Sequence, residues 1–408
     1  MYHKNMIKPE RHGLIALWFL SLTIIFICSI LYSTTPFVKD SKQQEILIET
    51  EKDNKCDLFK GHWIRETEVR SGYTNSSCST IPDSNNCGKH GRVDVDFMNW
   101  RWKPDGCELP RFDAKGFLRI LRGKTMAFIG DSVARNHMES LLCMLSQEEV
   151  PADMYRDSEN RFRTWYFSSH DFTLMTLWTK FLVKGEIRVS NSSNNEAYNL
   201  YLDEVDYKWI EKLPSVDYAI ISAGHWFFRP IYLYRRPSNL IGCVYCNEPN
   251  VSSVSPGFAL QMAIRSSLKY INGCKTCKKL YTMVRTFSPS HFEGGAWDSG
   301  GRCNRTSPMK EGDINLRSTE WEFRNLQVRE VERTKKKVQK RGTVKFAILD
   351  VTKAMLMRPD GHPDLHWGNR WMRGYSDCVH WCLPGPIDVW NDFLVELLRR
   401  EKGSSLTD

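Results

Sequence analysis

The sequence predicts an α/β protein, a parallel sheet flanked by helices, set behind a small disulfide-rich module and a single N-terminal transmembrane helix. Three observations carry this expectation. An uncharged apolar run of membrane-spanning length lies near the N-terminus, and twelve cysteines follow it. From about Gly116 onward, short apolar strand runs alternate with helical periodicity.

The chain of 408 residues carries 57 Lys+Arg against 48 Asp+Glu, and the formal charge of +9 is spread along the sequence. A diffuse excess of this kind gives no footprint for nucleic acid, so no nucleic-acid partner is expected. With 41% hydrophobic and 26% charged residues the chain is no disordered segment, and its length allows two or three domains or one large domain with an appendage.

Gly13 to Tyr32 is a run of twenty residues without a charge, about the number that spans a bilayer core. Lys4, Lys8 and Arg11 precede it, a basic tail that favours a cytoplasmic N-terminus. A cleaved signal peptide is the competing reading, but its apolar core is usually about 7–15 residues and no A-x-A-like site follows here. Either way the remainder enters the secretory lumen. Four N-x-S/T sequons, at Asn75, Asn191, Asn250 and Asn304, lie beyond the run and none before it. Of thirteen cysteines only Cys28 sits in the run, and the even remainder reads as a disulfide framework. The organisation expected is a cytoplasmic tail (1–12), a signal anchor (13–32), a polar stem (33–54), a cysteine-rich module (55–113) and a catalytic domain (114–408).

Within the last part, Thr125–Ile129, Val216–Ser222, Leu280–Val284 and Val344–Val351 read as buried strands. Helical patterns cover Val133–Gln147, Pro256–Asn272 and Asn315–Lys340. The basic run around Lys335–Lys337 belongs to the last of these and reads as a solvated face.

Ligands of an open parallel sheet bind at the carboxyl ends of its strands. One such end carries Gly130-Asp131-Ser132. A serine at this turn exposes its hydroxyl at the sheet edge, and its N–H lies at a positive helix N-terminus. The same tripeptide also suits an ordinary helix N-cap. The nucleophile reading gains from Asp377-Cys378-Val379-His380. A nucleophilic serine needs a histidine to take its proton, and the histidine needs a carboxylate to orient it. Aspartate and histidine three residues apart can share one side of a turn, which makes Ser132–His380–Asp377 the candidate triad.

The segments Phe128-Ile129-Gly130-Asp131-Ser132-Val133-Ala134-Arg135-Asn136 and Asp377-Cys378-Val379-His380-Trp381-Cys382-Leu383-Pro384-Gly385 resemble the plant trichome birefringence-like family. Cys56-Asp57-Leu58-Phe59, Asn99-Trp100-Arg101-Trp102 and Leu109-Pro110-Arg111-Phe112 resemble its N-terminal module. The resemblance runs from about Lys55 to the end. It implies a Golgi type II membrane protein with an SGNH/GDSL-esterase-like (PC-esterase) domain that O-acetylates a wall polysaccharide, with Ser132, Asp377 and His380 in the catalytic roles. It also implies the bridges Cys56–Cys107, Cys78–Cys143, Cys87–Cys382 and Cys303–Cys378. Cys243-x-x-Cys246 and Cys274-x-x-Cys277 have the spacing of a zinc site, yet an oxidising lumen favours disulfides, with their pairing open.

Further candidates rest on position. Gly224, after the second strand, is placed with Ser132 in an oxyanion hole; SGNH enzymes add an asparagine donor for which no equivalent is evident. Arg135, Asn136, His225, Trp226 and His291 are candidate substrate contacts, as is His362. Trp63, Trp100, Trp102, Trp226, Trp367 and Trp371 are candidates to stack on sugar rings. The expected function is Golgi O-acetylation of a hemicellulose, mannan or xyloglucan rather than xylan, through an acetyl-serine intermediate. The acetyl donor, acetyl-CoA or a relayed acetyl group, is a co-substrate, and no metal or bound cofactor is called for. A polysaccharide acetylesterase would use the same triad with water as acceptor. A non-catalytic wall-polysaccharide-binding protein has no need of an intact triad.

Overall fold

The computed structural model describes residues 56–66, 72–188, 196–235, 238–246, 248–277, 279–338, 344–368 and 374–404. The apolar run, the stem, Asn191 and Trp371 lie outside them. Met1–Lys55 and Cys56–Asp408 are separate units, and all the described residues belong to the second. Among the described residues no helix is long and apolar enough to cross a membrane.

The cysteine-rich module contributes one antiparallel pair, β1 (Gly61–Arg65) and β2 (Trp100–Pro104). The main sheet is built from β3 (Thr125–Gly130), β4 (Ala152–Arg156), β5 (Phe162–Phe167), β6 (Phe172–Trp178), β9 (Tyr218–Ser222), β12 (Tyr281–Arg285) and β13 (Lys345–Leu349). A second sheet of β7 (Val183–Arg188), β8 (Ala197–Val205), β10 (Ile231–Arg235) and β11 (Asn239–Val244) is ordered β11-β10-β8-β7. In the main sheet the order is β13-β12-β9-β3-β6-β5-β4. The strands from β13 to β6 are parallel, as the alternating pattern predicts, whereas β6, β5 and β4 form an antiparallel meander. The sheet is therefore mixed rather than all-parallel. Its edge strand β4 escapes a periodicity search because every one of its residues is exposed. Such an edge strand is held by backbone bonds and needs no apolar stripe.

Residues along a strand alternate between faces. On β3, Met126 and Phe128 enter one apolar cluster while Ala127 and Ile129 enter the other. Helices cover both faces. Ser132–Leu145 and Pro256–Asn272 lie where the 3.6-residue period places them. The third begins at Thr319, later than expected, because the Ser318 hydroxyl caps it through the Trp321 N–H. Val389–Ser404 is a further helix outside the predicted pattern.

The module has no core of its own. Leu58, Trp63, Tyr73, Trp102 and Leu109 pack into the same cluster as Phe393 and Leu394 of the last helix. Trp63 donates from Nε1 to the Ala354 carbonyl at 2.8 Å, and Trp102 is fully buried and donates to that of Leu58. These two tryptophans, expected as sugar platforms, are core residues, and Trp100 is half-buried beside them. Among the described residues six disulfides form: Cys56–Cys107, Cys78–Cys143, Cys87–Cys382, Cys303–Cys378, and each C-x-x-C closed on itself as Cys243–Cys246 and Cys274–Cys277. Asn75, Asn250 and Asn304 are exposed, as glycan acceptors must be.

Candidate active site

The turn after β3 is made possible by Gly130, whose φ is +155°; a Cβ there would stand 1.9 Å from the Ser222 carbonyl oxygen. Asp131, not Ser132, is the N-cap of the helix that follows. Its Oδ1 accepts from the N–H groups of Val133 at 3.1 Å and Ala134 at 3.4 Å. That assignment removes the capping role from the serine. Ser132 Oγ instead lies 2.8 Å from His380 Nε2.

His380 Nδ1 in turn lies 2.8 Å from Asp377 Oδ2, and Asp377 Oδ1 accepts the backbone N–H groups of Val379 and His380. Burial works against the Asp377 carboxylate, but the His380 charge and these three hydrogen bonds outweigh it and hold its pKa at about 2. Burial likewise works against protonated His380, and the charge and hydrogen bond of Asp377 outweigh it, so the imidazole pKa is raised. The result is a serine facing a histidine whose basicity is enhanced by a permanently ionised partner. The turn is anchored on both sides. Cys378 is bridged to Cys303, Cys382 to Cys87, and Asp364 and Asp377 exchange both backbone hydrogen bonds.

Gly224 follows β9 by two residues, and burial is so close there that a Cβ would meet the Phe287 ring at 2.3 Å. The next residue, His225, does not supply the side-chain donor that SGNH enzymes take from asparagine. Its Nε2 is 3.0 Å from the Ser288 carbonyl, which only accepts, and its ring packs on Phe287. Burial pushes its pKa down to about 3, with the nearby His380 and Arg285 adding to the shift.

Several candidate substrate contacts prove to be braces of the catalytic turn. Asn136 is buried and holds Trp381 from both ends, accepting its N–H at 2.8 Å and donating to its carbonyl at 3.3 Å. His362 Nδ1 donates to the His380 carbonyl at 2.6 Å, and its ring lies 4.0 Å from that of Trp381. His291 places Nδ1 2.7 Å from His362 Nε2 and donates from Nε2 to the Leu356 carbonyl at 3.2 Å, so it supports the back of the turn rather than facing a substrate. Arg135 remains at the site's edge. Its Nη1 donates to the Asn160 carbonyl and its Nε lies 3.7 Å from Glu139. Trp226 is half-buried, its ring covered by Lys180 and Arg229, and Trp367 donates from Nε1 to the Tyr375 carbonyl. Arg285, buried on β12 and electrostatically paired with Asp131, carried no sequence signal because its relevance depends on the β9–β12 pairing.

A serine at a strand-to-helix turn, relayed through histidine to aspartate at the carboxyl edge of a mostly parallel sheet, defines an acyl-transferring hydrolase-like site. The chain belongs to the GDSL/SGNH-like acyl-esterase family found in Pmr5 and Cas1p, whose model matches residues 109–397, preceded by a PMR5 N terminal domain at residues 54–108. Xyloglucan O-acetyltransferase 4 of Populus trichocarpa is 57% identical over 97% of this chain and 93% of its own length. Xyloglucan O-acetyltransferase 2 of Arabidopsis thaliana is 54% identical over 93% and 91%. Protein trichome birefringence-like 20 of Arabidopsis thaliana is 44% identical over 85% and 72%. The resemblance to the trichome birefringence-like proteins is thereby one of membership.

Proposed function

We propose that this chain is a wall-polysaccharide O-acetyltransferase that acetylates xyloglucan in the Golgi lumen by way of an acetyl group on Ser132. The observation that carries the chemistry is the 2.8 Å and 2.8 Å relay from Ser132 through His380 to Asp377. The relatives named xyloglucan O-acetyltransferase, 54–57% identical, support transfer over hydrolysis and xyloglucan over mannan.

His380 Nε2 takes the Ser132 proton as Oγ attacks the acetyl carbonyl of the donor. The N–H groups of Ser132 and Gly224 face the developing oxyanion. As the intermediate collapses, the donor's leaving group takes the proton back from His380 and acetyl-Ser132 remains. A sugar hydroxyl then gives its proton to His380 and attacks the ester. Collapse returns the proton to Ser132 Oγ and releases the acetylated sugar. The acetyl donor is a substrate of this cycle. The uncharged run Gly13–Tyr32, the sequons beyond it and the six disulfides support a membrane anchor with the catalytic unit in the lumen.

Full-length protein and its Ser132→Ala variant, incubated with an acetyl donor and xyloglucan, mannan and xylan oligosaccharides, test this reading by mass spectrometry. Acetylated xyloglucan from the unsubstituted chain alone is the expected outcome. Acetate release without any acetylated sugar would make the protein an esterase. A fluorescent fusion together with glycosidase sensitivity of the sequons tests the compartment.

A further inference from the structure

Among the tryptophans of the described residues Trp297 is the most exposed, with half of its surface open to solvent. It stands at the tip of a turn built for rigidity. The N–H of Ala296 donates to Ser299 Oγ, those of Ser299 and Gly301 donate to the Ala296 carbonyl, and Glu293 and Arg302 exchange both backbone hydrogen bonds below it. Only glycines fit this turn: a Cβ on Gly301 would stand 2.3 Å from the Gly295 carbonyl oxygen, and one on Gly295 2.5 Å from that of Ser299.

The turn is fastened to the catalytic segment. The His291 N–H donates to the Cys378 carbonyl, Cys303 is bridged to Cys378, and Arg302 makes a paired contact with Asp364, the ladder partner of Asp377. Its tip meets Tyr375, with ring centroids 6.3 Å apart and planes tilted by 40°. Tyr375 is itself exposed, and Trp367 braces its carbonyl. Tyr375 precedes Asp377 by two residues, so their Cα atoms are no more than about 7 Å apart.

Two exposed aromatic rings held against each other, one of them two residues from a triad member, offer apolar faces on which a ligand can stack. Among the described residues no Lys or Arg stacks on either ring, whereas Trp178 and Trp226 are covered by Arg161, Lys180 and Arg229. The bare pair suits a neutral ring with apolar C–H faces rather than an anion. We infer that Trp297 and Tyr375 form a subsite for pyranose units of the acceptor chain beyond the sugar that is acetylated. This inference rests on the transferase reading above and assigns to the site a preference for longer oligosaccharides.

The test compares full-length protein with Trp297→Ala, Tyr375→Ala and Trp297→Phe, using 4-nitrophenyl acetate as donor and xyloglucan oligosaccharides of one and of three repeating units as acceptors. The expected result is a loss of about tenfold in kcat/KM for the longer acceptor in the alanine variants, equal to about 1.4 kcal/mol, carried mainly by KM. The preference for the longer acceptor should collapse, and Trp297→Phe should keep most of it. Values within about twofold of the parent for both acceptors would overturn the inference. If the parent forms acetyl-Ser132 but acetylates no sugar, the transferase reading fails and the subsite is read separately. Calorimetric titration of the longer oligosaccharide into Ser132→Ala, with and without Trp297→Ala, should then show a loss of affinity. Equal affinities would remove the subsite as well.

Discussion

Gly130 and Ser222 are register partners in the parallel ladder of β3 and β9. Ser132 and Gly224, each two residues further on, therefore leave adjacent strand ends side by side. This register brings the candidate nucleophile and the candidate second oxyanion donor to one edge although 92 residues separate the strand partners. The tight fit of both glycines, against Ser222 in one case and Phe287 in the other, leaves the two turns no room to drift.

Replacing Asp377 with Asn should preserve the turn, because an amide oxygen can still accept the Val379 and His380 N–H groups. It removes the charge that stabilises the imidazolium and allows the wrong tautomer. The rate of Ser132 acetylation from 4-nitrophenyl acetate, followed by stopped flow, should fall about 10⁴-fold. A loss smaller than about tenfold would take Asp377 out of the relay.

The pH profile of kcat/KM should rise with a single proton as His380 becomes neutral and able to act as base. Since Asp377 outweighs burial and raises this pKa, the midpoint should lie above about 6.5. Asp377, held at about 2, stays ionised throughout. In Asp377→Asn the midpoint should move down, and an unmoved midpoint would assign the limb to another group. The same pair contributes to stability with opposite limits. The His380 share is complete below about pH 6.5 and is lost as pH rises through its raised pKa. The Asp377 share is complete above about pH 4 and is lost as pH falls through its lowered one.

Gly224→Ala drives a methyl group into the Phe287 ring. Overpacking of this kind costs about 1–3 kcal/mol. It also displaces the Gly224 N–H from the oxyanion, so kcat should fall about 10²-fold, the effect of losing one such donor. Adding Phe287→Leu should restore part of both losses, as measured by Tm and by the acetylation rate. An additive double variant would mean that the ring contact is not the cause.

Asp392 sits in the last helix with its pKa raised to about 8, chiefly by burial and then by the charge of Asp388, against the Phe112 N–H and the charges of Arg101 and Arg111. A carboxyl whose folded pKa exceeds its unfolded value of about 3.9 opposes folding increasingly as pH rises between the two. Asp392→Asn should therefore raise Tm at pH 7.5, by about 2–4 °C for each kcal/mol released, and give no gain at pH 4. Equal Tm values at both pH values would refute the burial argument.

The chemistry of the site was legible because it is local. Gly130-Asp131-Ser132 follows an apolar run, and Asp377 and His380 sit three residues apart, so strand, turn and relay leave short-range marks. Trp63, Trp102, Asn136 and His291 were misread for the opposite reason. Residue type says that each can touch a sugar, but only packing shows that Trp63 and Trp102 bury in a core shared with the last helix, while Asn136 holds the Trp381 backbone and His291 packs against His362, which bonds the His380 carbonyl. The exposed edge strand β4 and the Trp297 turn left no periodic signal at all.

By itself the sequence determined the alternation of strand and helix, the serine at the end of β3, the aspartate–histidine pair and an even set of cysteines beyond the apolar run, because periodicity, turn chemistry and redox pairing act over a few residues or through composition. Tertiary structure alone decided that Asp131 caps the helix and frees Ser132, that β3 and β9 pair in the register that aligns Ser132 with Gly224, and that Trp297 meets Tyr375, two residues before Asp377. Those outcomes depend on contacts between segments tens to hundreds of residues apart, which steric fit and burial select and which no local pattern encodes.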